Sequence, residues 1–402
     1  MKKLLSLLLF LCCCPVFADE ISIDADFPGG NIVVDSIQDG TVRLRTDLRD
    51  SGDWFYYAFR VKNAQGQTLR FVFDRENRIG IRGPAISSDG EKSWRYLSET
   101  PDHGSKEFVY SFGPNENSVL FAQAILYTQK DWDAFVAAWK DRPEVRLSTL
   151  CKGRKGRDVE RMEIVENENA PFGIVLTARH HCCEMTADMV LEGILEEALS
   201  DSESGKWLRA NARFYVIPFV DKDGVEDGDQ GKGRRPHDHN RDYNHERYPE
   251  IKALKADIHE RFDGKPLFFL DLHCPWLRTG TAEYVHSPLA DSSDTNRHPE
   301  FFFQSLEKHQ AGGKLAFKSS FNLAFGTPWN NKKTFEQLED GIVTASSTIW
   351  VGRLPNTIFS ECLEIPYSNA SGAVVTRESC RELGHSIARA MADFLKQSSP
   401  NH

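Results

Sequence analysis

The chain has 402 residues, and 40% of them are hydrophobic, which is enough for two folded domains with buried cores. Its formal net charge is −10 at pH 7, and this acidic balance argues against nucleic acid as a partner. Beyond the amino terminus, the sequence shows no apolar run of the roughly 20 residues that a transmembrane helix needs.

The first 18 residues have the pattern of a secretory signal peptide. Lys2 and Lys3 precede an apolar run over residues 4–14, and Val16-Phe17-Ala18 offers a small-residue cleavage site. Lipid attachment at one of the cysteines 12–14 is the alternative, although Leu or Cys precedes each of them where a small residue is usual. The mature protein is therefore expected to be exported, to the periplasm or the extracellular space.

Residues 19–145 are predicted to form an all-β domain. The runs 54–61 and 68–73 are rich in aromatic and β-branched residues and flank the turn sequence at 63–66, which predicts a hairpin. Further glycine-containing turns divide the rest into short segments. Strands of this kind pack as a β sandwich. A short helix over 131–140 is expected to link this domain to the next one.

From about residue 150 the pattern changes to an alternation of strands and helices. This alternation indicates an α/β domain over 150–398, with a mixed, mostly parallel sheet covered by helices. The predicted strands are 172–178, 211–217, 266–272 and 357–363. The predicted helices are 186–199, 248–262, 299–310 and 376–396.

Three of the predicted strands lead directly into polar residues. Arg-His-His-Cys-Cys-Glu at 179–184 follows the first of these strands, Asp-Leu-His at 271–273 ends the second, and Leu-Glu at 363–364 ends the third. The carboxyl ends of the strands are where open α/β sheets bind ligands. Three unrelated polar segments would not be expected to converge there, so the sequence predicts one functional site.

The residue types at these strand ends are those of a mononuclear zinc peptidase. A catalytic zinc needs three ligands from the His, Glu and Cys set and one position open for water. His181 and Glu184 are three residues apart, so a helical turn brings them together, and His273 completes the predicted set. Glu364 is then a second carboxylate, which can act as the general base that takes a proton from the zinc-bound water.

Two alternatives concern the metal ligands. His180 could replace His181, but it has no glutamate at the same spacing. Cys182 and Cys183 are possible thiolate ligands, although adjacent residues are poorly placed to share one metal with His181. His181 is therefore preferred.

Two further carboxylates bear on the site. Asp271 is expected either to hydrogen-bond a ligand histidine or to face water at the end of its strand. Glu361 is the nearest competitor to Glu364 as the base. Residues three apart on a strand point to opposite faces, so only one of these two glutamates is expected to face the metal.

Together these motifs resemble a known family. Arg-x-His-x-x-Glu, a later Asn-Arg pair, Asp-Leu-His and a late Leu-Glu are similar to the zinc carboxypeptidases, most closely to their cytosolic-carboxypeptidase-like branch. That branch has a β domain before its catalytic domain. The segments 26–31 and 83–90 also resemble its amino-terminal domain, so the resemblance covers roughly residues 20–395.

The resemblance implies roles for a cationic loop at 231–243. Asn240 and Arg241 match the family pair that grips the terminal carboxylate of the substrate. The family also uses an upstream arginine in Gly-Asn-x-Arg to polarise the scissile carbonyl, but residues 228–231 read Gly-Asp-Gln-Gly. Arg234, Arg235 or Lys232 could substitute, and Arg234 is preferred.

Two histidines in the same loop, His237 and His239, have a second possible role. They could hold another metal, but the charged residues around them favour solvated loop histidines.

The sequence thus predicts an exported, zinc-dependent metallocarboxypeptidase with one Zn²⁺ per chain, acting on peptides with a free terminal carboxylate. One alternative is an amidohydrolase on the same scaffold, acting on cell-wall peptides or N-acyl amino acids. Another is a binding protein with a degenerate peptidase domain, because the upstream arginine is missing.

Overall fold

The computed structural model describes residues 20–52, 54–278, 280–289, 291 and 299–398, without the side chains of Thr334 and Phe335. The predicted signal peptide lies outside these residues. A β-rich amino-terminal part is followed by an α/β part, which confirms the predicted fold class. Within the described ranges, none of the helices is both long and apolar enough to cross a membrane.

The amino-terminal part is a β sandwich. Its strands are β1 (Ser22–Asp24), β2 (Val33–Gln38), β3 (Thr41–Arg45), β4 (Ala58–Lys62), β5 (Thr68–Phe73), β6 (Ala85–Ser87), β7 (Arg95–Tyr96), β8 (Glu107–Ser111) and β9 (Ser118–Ala122). One sheet has the order β1-β4-β9-β6-β7 and the other the order β2-β3-β5-β8. Phe59, Phe71 and Phe121 come from both sheets and meet in one core, with ring centroids 5.3 to 5.7 Å apart.

The predicted hairpin between residues 54–61 and 68–73 is wrong. β4 pairs with β1 and β9, whereas β5 pairs with β3 and β8, so the turn at 63–66 connects the two sheets. The physical reason is that both strands bury one face. β5 alternates between exposed and buried residues, and two half-buried strands can satisfy this pattern by facing each other across the core.

The α/β part begins with helix α1 (Gln129–Ala137). Its strands are β10 (Val145–Lys152), β11 (Asp158–Ile164), β12 (Phe172–Ala178), β13 (Ala212–Ile217), β14 (Leu267–His273), β15 (Leu338–Glu339), β16 (Ile342–Val343), β17 (Thr357–Glu364), β18 (Asn369–Ala370) and β19 (Ala373–Val374). Its further helices are α2 (Thr186–Leu199), α3 (Glu203–Asn211), α4 (Lys222–Asp227), α5 (Pro249–Phe262), α6 (Glu300–His309), α7 (Lys332–Phe335), α8 (Ser347–Gly352) and α9 (Arg377–Gln397).

The central sheet has the strand order β10-β11-β13-β12-β14-β17. β13, β12, β14 and β17 run parallel, and β10 and β11 add an antiparallel edge. The sequence reasoning missed this edge because β10 is mostly exposed and only half of its residues are apolar. By contrast, every residue of β12 and β14 is buried, which is the expected pattern for strands covered on both faces.

Helices α2 and α9 cross with their backbones in contact. A Cβ atom at Gly193 would overlap the carbonyl oxygen of Arg381, and one at Gly384 would overlap that of Val190. Only glycine permits so close an approach. The residues immediately before α2 include His181 and Glu184, so this helix crossing anchors the segment that carries them.

The two parts of the chain share an extensive contact. Tyr56 and Gln230 exchange two hydrogen bonds of 2.7 Å between the Tyr56 backbone and the Gln230 side chain. Tyr96 donates from Oη to the carbonyl of Tyr367 at 2.5 Å. The amino-terminal part therefore packs directly against the loop that follows α4.

Candidate active site

The three polar strand ends of the sequence converge at one edge of the sheet. β12, β14 and β17 are adjacent and parallel, and His273 lies opposite Glu364 in the register of the last two strands. A cavity of about 410 Å³ opens there. His181, His273 and Glu364 are among the residues that line it.

His181 and Glu184 lie in a turn just before α2, where the backbone N–H of Glu184 donates to the carbonyl of His181 at 3.1 Å. The turn places His181 Nδ1 3.0 Å from Glu184 Oε1. His273 Nδ1 approaches the other oxygen, Glu184 Oε2, at 2.7 Å. The carboxylate of Glu184 is therefore fully buried between two imidazole rings.

Asp271 organises this site from below. Its Oδ2 lies 2.8 Å from His273 Nε2 and accepts a hydrogen bond from Ser347 Oγ at 2.5 Å. Its Oδ1 lies 2.9 Å from His180 Nδ1. Burial alone would raise the pKa of Asp271, but His180 and His273 outweigh it and hold that pKa well below its usual range. Asp271 is fully buried and fixes the orientation of His273. The alternative that the side chain of Asp271 faces water is therefore wrong.

The alternative ligands are engaged elsewhere. His180 is fully buried, and its two ring nitrogens contact Asp271 and the hydroxyl of Tyr243, the latter at 2.8 Å. Cys182 and Cys183 are buried, and burial raises the pKa of both thiols. No disulfide involves the six cysteines from Cys151 onward in the described part of the chain.

A lysine stands beside the buried carboxylate. Lys232 Nζ lies 2.9 Å from Glu184 Oε1 and 4.9 Å from the ring centroid of Trp54. Burial would lower the pKa of Lys232, but the carboxylates of Glu184 and Glu364 outweigh it and raise that pKa. Lys232 also lines the cavity, so it supplies a fixed positive charge there.

Gly231 stands where the family motif has its arginine, and the backbone there leaves no room for a side chain. Its φ is +76°, and a Cβ atom there would overlap the backbone nitrogen of Cys182. No side chain fits between the two segments, so the nearest available cation is the adjacent Lys232.

The structure does not bring Arg234, the cation preferred from sequence, into the cavity. Its guanidinium is held between Asp221 and Asp229, at 2.9 Å from each carboxylate, and it is absent from the described residues that line the cavity. Sequence reasoning chose Arg234 by residue type alone, because the sequence does not show that the loop folds so that Asp221 and Asp229 contact Arg234.

Both glutamates of β17 reach the cavity. Glu364 Oε2 is buried and has no hydrogen-bond partner among the described residues. Glu361 also lines the cavity and accepts a hydrogen bond from Ser287 Oγ at 3.4 Å. Lining the cavity does not distinguish the two residues, so the expectation that only one of them faces the metal stays a prediction.

Asn240 and Arg241 also line the cavity. The amide nitrogen of Asn240 is 3.2 Å from His273 Nε2, and its oxygen accepts a hydrogen bond from the backbone of Ser347. Arg241 Nη1 donates to the carbonyl of Asn240 at 2.8 Å. A cationic side chain is thus present within the same cavity as the two histidines.

Sequence reasoning missed two residues of the site. Asp238 Oδ1 lies 3.7 Å from His181 Nε2, so its charge faces the ring nitrogen that points away from Glu184. Trp54 comes from the amino-terminal part and lines the cavity beside Lys232. Asp238 stands two positions before Asn240, which was the only available signal. Nothing in the sequence pointed to Trp54.

The histidines of the cationic loop are buried, which corrects the expectation of solvated side chains. His237 is 6% exposed and His239 is 2% exposed. His239 stacks on Tyr248 with ring centroids 3.7 Å apart. The charged neighbours that suggested a solvated loop instead contact the two histidines, such as Asp242 Oδ1, which lies 2.7 Å from His237 Nε2.

The residues at the sheet edge fit a metal ion. The ligand atoms of His181, Glu184 and His273 all lie within 4.8 Å of one another, and all three residues are buried. Two imidazoles and one carboxylate form a zinc ligand set with one position left open. The ion pair between Lys232 and Glu184 shows that a positive charge can lie beside this carboxylate.

Comparison with known proteins identifies the family. The sequence pattern of the zinc carboxypeptidases, Peptidase_M14, matches residues 133–337, slightly more than half of the chain. The chain belongs to the zinc carboxypeptidase family. The matched range includes His181, Glu184 and His273 and ends before Glu364. Members of this family depend on zinc, and the buried His/Glu cluster is where this chain could hold it.

Relatives and solved structures agree with this assignment. Cytosolic carboxypeptidase 6 of Caenorhabditis elegans is 27% identical over 293 residues, which are 63% of this chain and 62% of that protein. Human cytosolic carboxypeptidase 2 is 27% identical over 273 residues, which are 57% of this chain and 30% of that protein. The chain thus spans less than two thirds of either relative. A metallo-carboxypeptidase from Burkholderia cenocepacia has the same fold, with a TM-score of 0.76 at 19% identity, covering 94% of this chain and 100% of that one.

These relatives correct the prediction of an exported protein. They are named as cytosolic carboxypeptidases, which points to a cytosolic protein, at an identity of 27%. The prediction rested on two lysines, an apolar run and a small-residue cleavage site within residues 1–18. This pattern alone does not determine the compartment.

Proposed function

We propose that this zinc carboxypeptidase family member is an active metallocarboxypeptidase that removes the last residue of peptides with a free terminal carboxylate. One observation carries the proposal: the ligand atoms of His181, Glu184 and His273 lie close together, and Glu364, whose Oε2 has no hydrogen-bond partner among the described residues, lines the same cavity. One catalytic Zn²⁺, held by those three residues, is part of the proposal. The same residues argue against a degenerate, non-catalytic domain.

In this proposal, Glu364 is the general base. When bound, zinc would supply Lewis-acid chemistry, polarising the scissile carbonyl and making a water more acidic. Glu364 Oε2 accepts a proton from the attacking water and later delivers it to the leaving amine. Asp271 holds the ring of His273 in orientation, as carboxylates commonly do for ligand histidines, and Asp238 places a negative charge near Nε2 of His181.

Lys232, and not Arg234, is the proposed cation at the scissile carbonyl. A fixed positive charge at the place where negative charge develops stabilises the transition state of acyl transfer. Lys232 lines the cavity, and the negative charges of Glu184 and Glu364 raise its pKa. Arg234 is committed to Asp221 and Asp229, so it serves to hold the loop.

Asn240 and Arg241 are proposed to bind the substrate's terminal carboxylate. A guanidinium matches a carboxylate with two parallel hydrogen bonds, which gives direction as well as affinity. Asn240 also contacts His273, so the residue that grips the substrate's end is tied to the metal site.

The proposal is tested by comparing peptides with free and amidated carboxyl ends. Wild type should discriminate strongly against amidated peptides. Arg241→Ala should lose about ten- to hundred-fold in catalytic efficiency on free ends, since a charge-assisted hydrogen bond contributes roughly 1.5–3 kcal/mol. It should also discriminate far less than wild type. Equal wild-type rates on both ends would rule out a carboxypeptidase and favour an amidohydrolase on the same scaffold.

Arg353→Ala is the matched control for this experiment. Arg353 lines the same cavity but pairs with Glu336 at 3.1 Å. It should keep the discrimination between free and amidated ends. If Arg353→Ala loses the discrimination and Arg241→Ala keeps it, the carboxylate is bound by Arg353 and our assignment is wrong.

We also propose that residues 19–145 and 150–398 are two domains, the second of which contains the metal site. The first domain would then contribute Trp54 to the cavity of the second.

A further inference from the structure

A second cluster of metal-ligand residues lies apart from the catalytic residues. His237, His245 and Glu339 each offer a ligand atom, and these atoms lie within 4.8 Å of one another. We call these three residues the hairpin cluster, because Glu339 belongs to the hairpin formed by β15 and β16. None of the three takes part in the proposed hydrolysis.

The nitrogen atoms of the hairpin cluster are already oriented for a ligand. His237 Nε2 lies 2.7 Å from Asp242 Oδ1, and His237 Nδ1 faces Glu339 Oε2. His245 Nε2 lies 3.3 Å from the carbonyl of Glu339. Each imidazole thus has an acceptor next to Nε2. When Nε2 carries the proton, the lone pair of Nδ1 is available to a metal ion, and His237 Nδ1 lies beside Glu339 Oε2. Ligand histidines in metalloproteins show this arrangement.

One atom of the hairpin cluster is available to a ligand. His245 Nδ1 is buried and has no hydrogen-bond partner among the described residues. Buried polar atoms are nearly always paired with protein, water or an ion, and a metal ion held also by His237 and Glu339 would supply this partner.

The charges around the hairpin cluster also favour a cation. Asp242 and Glu339 face the two histidines, and Asp340 is the next residue of the hairpin. Arg247 contacts Glu339 Oε1 at 3.2 Å and also pairs with Asp340. Within these contacts three carboxylates face one guanidinium, so two negative charges remain in excess. A divalent cation would balance them.

We propose that the hairpin cluster is a second metal site, which takes Zn²⁺ or a similar borderline divalent ion through His237 Nδ1, His245 Nδ1 and Glu339 Oε2. Two imidazole nitrogens and one carboxylate oxygen suit this class of ion. The site joins the hairpin to residues 237–245, which carry Asn240 and Arg241. The ion is therefore structural, and it holds the wall of the cavity that contains those two residues.

The experiment measures zinc in the full-length protein after dialysis against zinc and removal of the excess. Wild type should hold two ions per chain. His181→Ala should hold one, and adding His245→Ala to that variant should remove it. Glu339→Gln in the same background provides a second, more conservative variant. His385→Ala is the control, because His385 also pairs with a glutamate, Glu196, at 3.0 Å and is not part of the hairpin cluster.

Hydrogen exchange supplies a readout that is independent of activity. Adding zinc to His181→Ala should slow amide exchange in residues 338–343, and His245→Ala should abolish this protection. A His181→Ala variant that holds no ion would overturn the second site. One ion in wild type and one in His181→Ala would instead overturn the metal site at His181, Glu184 and His273. Failure of the proposed hydrolysis would leave these ion counts unchanged, so the two proposals fail separately.

Discussion

Two groups of residues line the same cavity but are held there in different ways. His273 and Glu364 end buried parallel strands, and the backbone register of β14 and β17 places them opposite each other. Lys232, Asn240 and Arg241 lie on the loop between α4 and α5, where no ladder of backbone hydrogen bonds fixes them. We call His273 and Glu364 the strand group, and Lys232, Asn240 and Arg241 the loop group. The comparison shows that the sheet places the strand group, whereas distant contacts place the loop group.

The contacts that hold the loop come from outside the sheet. Arg49 of the amino-terminal part pairs with Asp229 at 2.5 Å, and the backbone N–H of Gly52 donates to the carbonyl of Lys232 at 3.0 Å. On the other side, Asn244 donates to the carbonyl of Val343 in the hairpin at 2.7 Å. Substitutions in the two groups should therefore have different consequences.

The largest expected effect belongs to the strand group. Glu364→Gln should keep its zinc but lose about 10²–10⁴-fold in kcat, because the amide cannot accept the proton that a general base takes. The measurement is the steady-state rate on a free-ended peptide together with the metal content of the purified variant.

Glu361→Gln is the natural control, since Glu361 lies on the same strand and lines the same cavity. It should keep most of its kcat. An inactive Glu361→Gln beside an active Glu364→Gln would show that the wrong carboxylate has been chosen as the base.

The next effect separates two cations of the loop. Lys232→Met should lower kcat by about 10²–10³-fold, the range seen when one group that stabilises the developing oxyanion is removed. Arg234→Ala should instead destabilise the fold by about 3–5 kcal/mol, because it leaves the buried Asp221 without its guanidinium partner, while Asp229 keeps only Arg49. Denaturant unfolding and kcat are measured on both variants. Lys232→Met should mainly lose kcat, whereas Arg234→Ala should mainly lose stability. A folded Arg234→Ala with the larger loss of kcat would return the catalytic role to Arg234.

The strand group could be predicted from the sequence for a physical reason. Buried parallel strands appear as continuous apolar runs, so the ends of β12, β14 and β17 were recognisable. The helix 186–199 was also predicted with its observed bounds, because its apolar residues recur at helical spacing. The resemblance to the zinc carboxypeptidases then gave these strand ends their chemistry, and the family match confirms that resemblance.

The loop group could be predicted only in part. Asn240 and Arg241 were found through the resemblance, but the choice between Lys232 and Arg234 depends on which of them the buried Asp221 and Asp229 occupy. That pairing brings together residues with no periodic pattern. Trp54 is a similar case, because it reaches the cavity only through the packing of the amino-terminal part.

The smallest expected effect tests whether the strand group is rigid because of the helices behind it. Gly193→Ala inserts a methyl group where α2 and α9 already touch, so the helices must separate. Such overpacking typically costs about 1–3 kcal/mol, which denaturant unfolding measures directly. Gly104→Ala is the control, because a Cβ there has its nearest described neighbour 4.0 Å away.

Since α2 follows the turn that holds His181 and Glu184, Gly193→Ala should also weaken zinc retention while leaving the preference for free carboxyl ends unchanged. A loss of that preference with zinc retained would mean that the helix crossing supports the loop group instead.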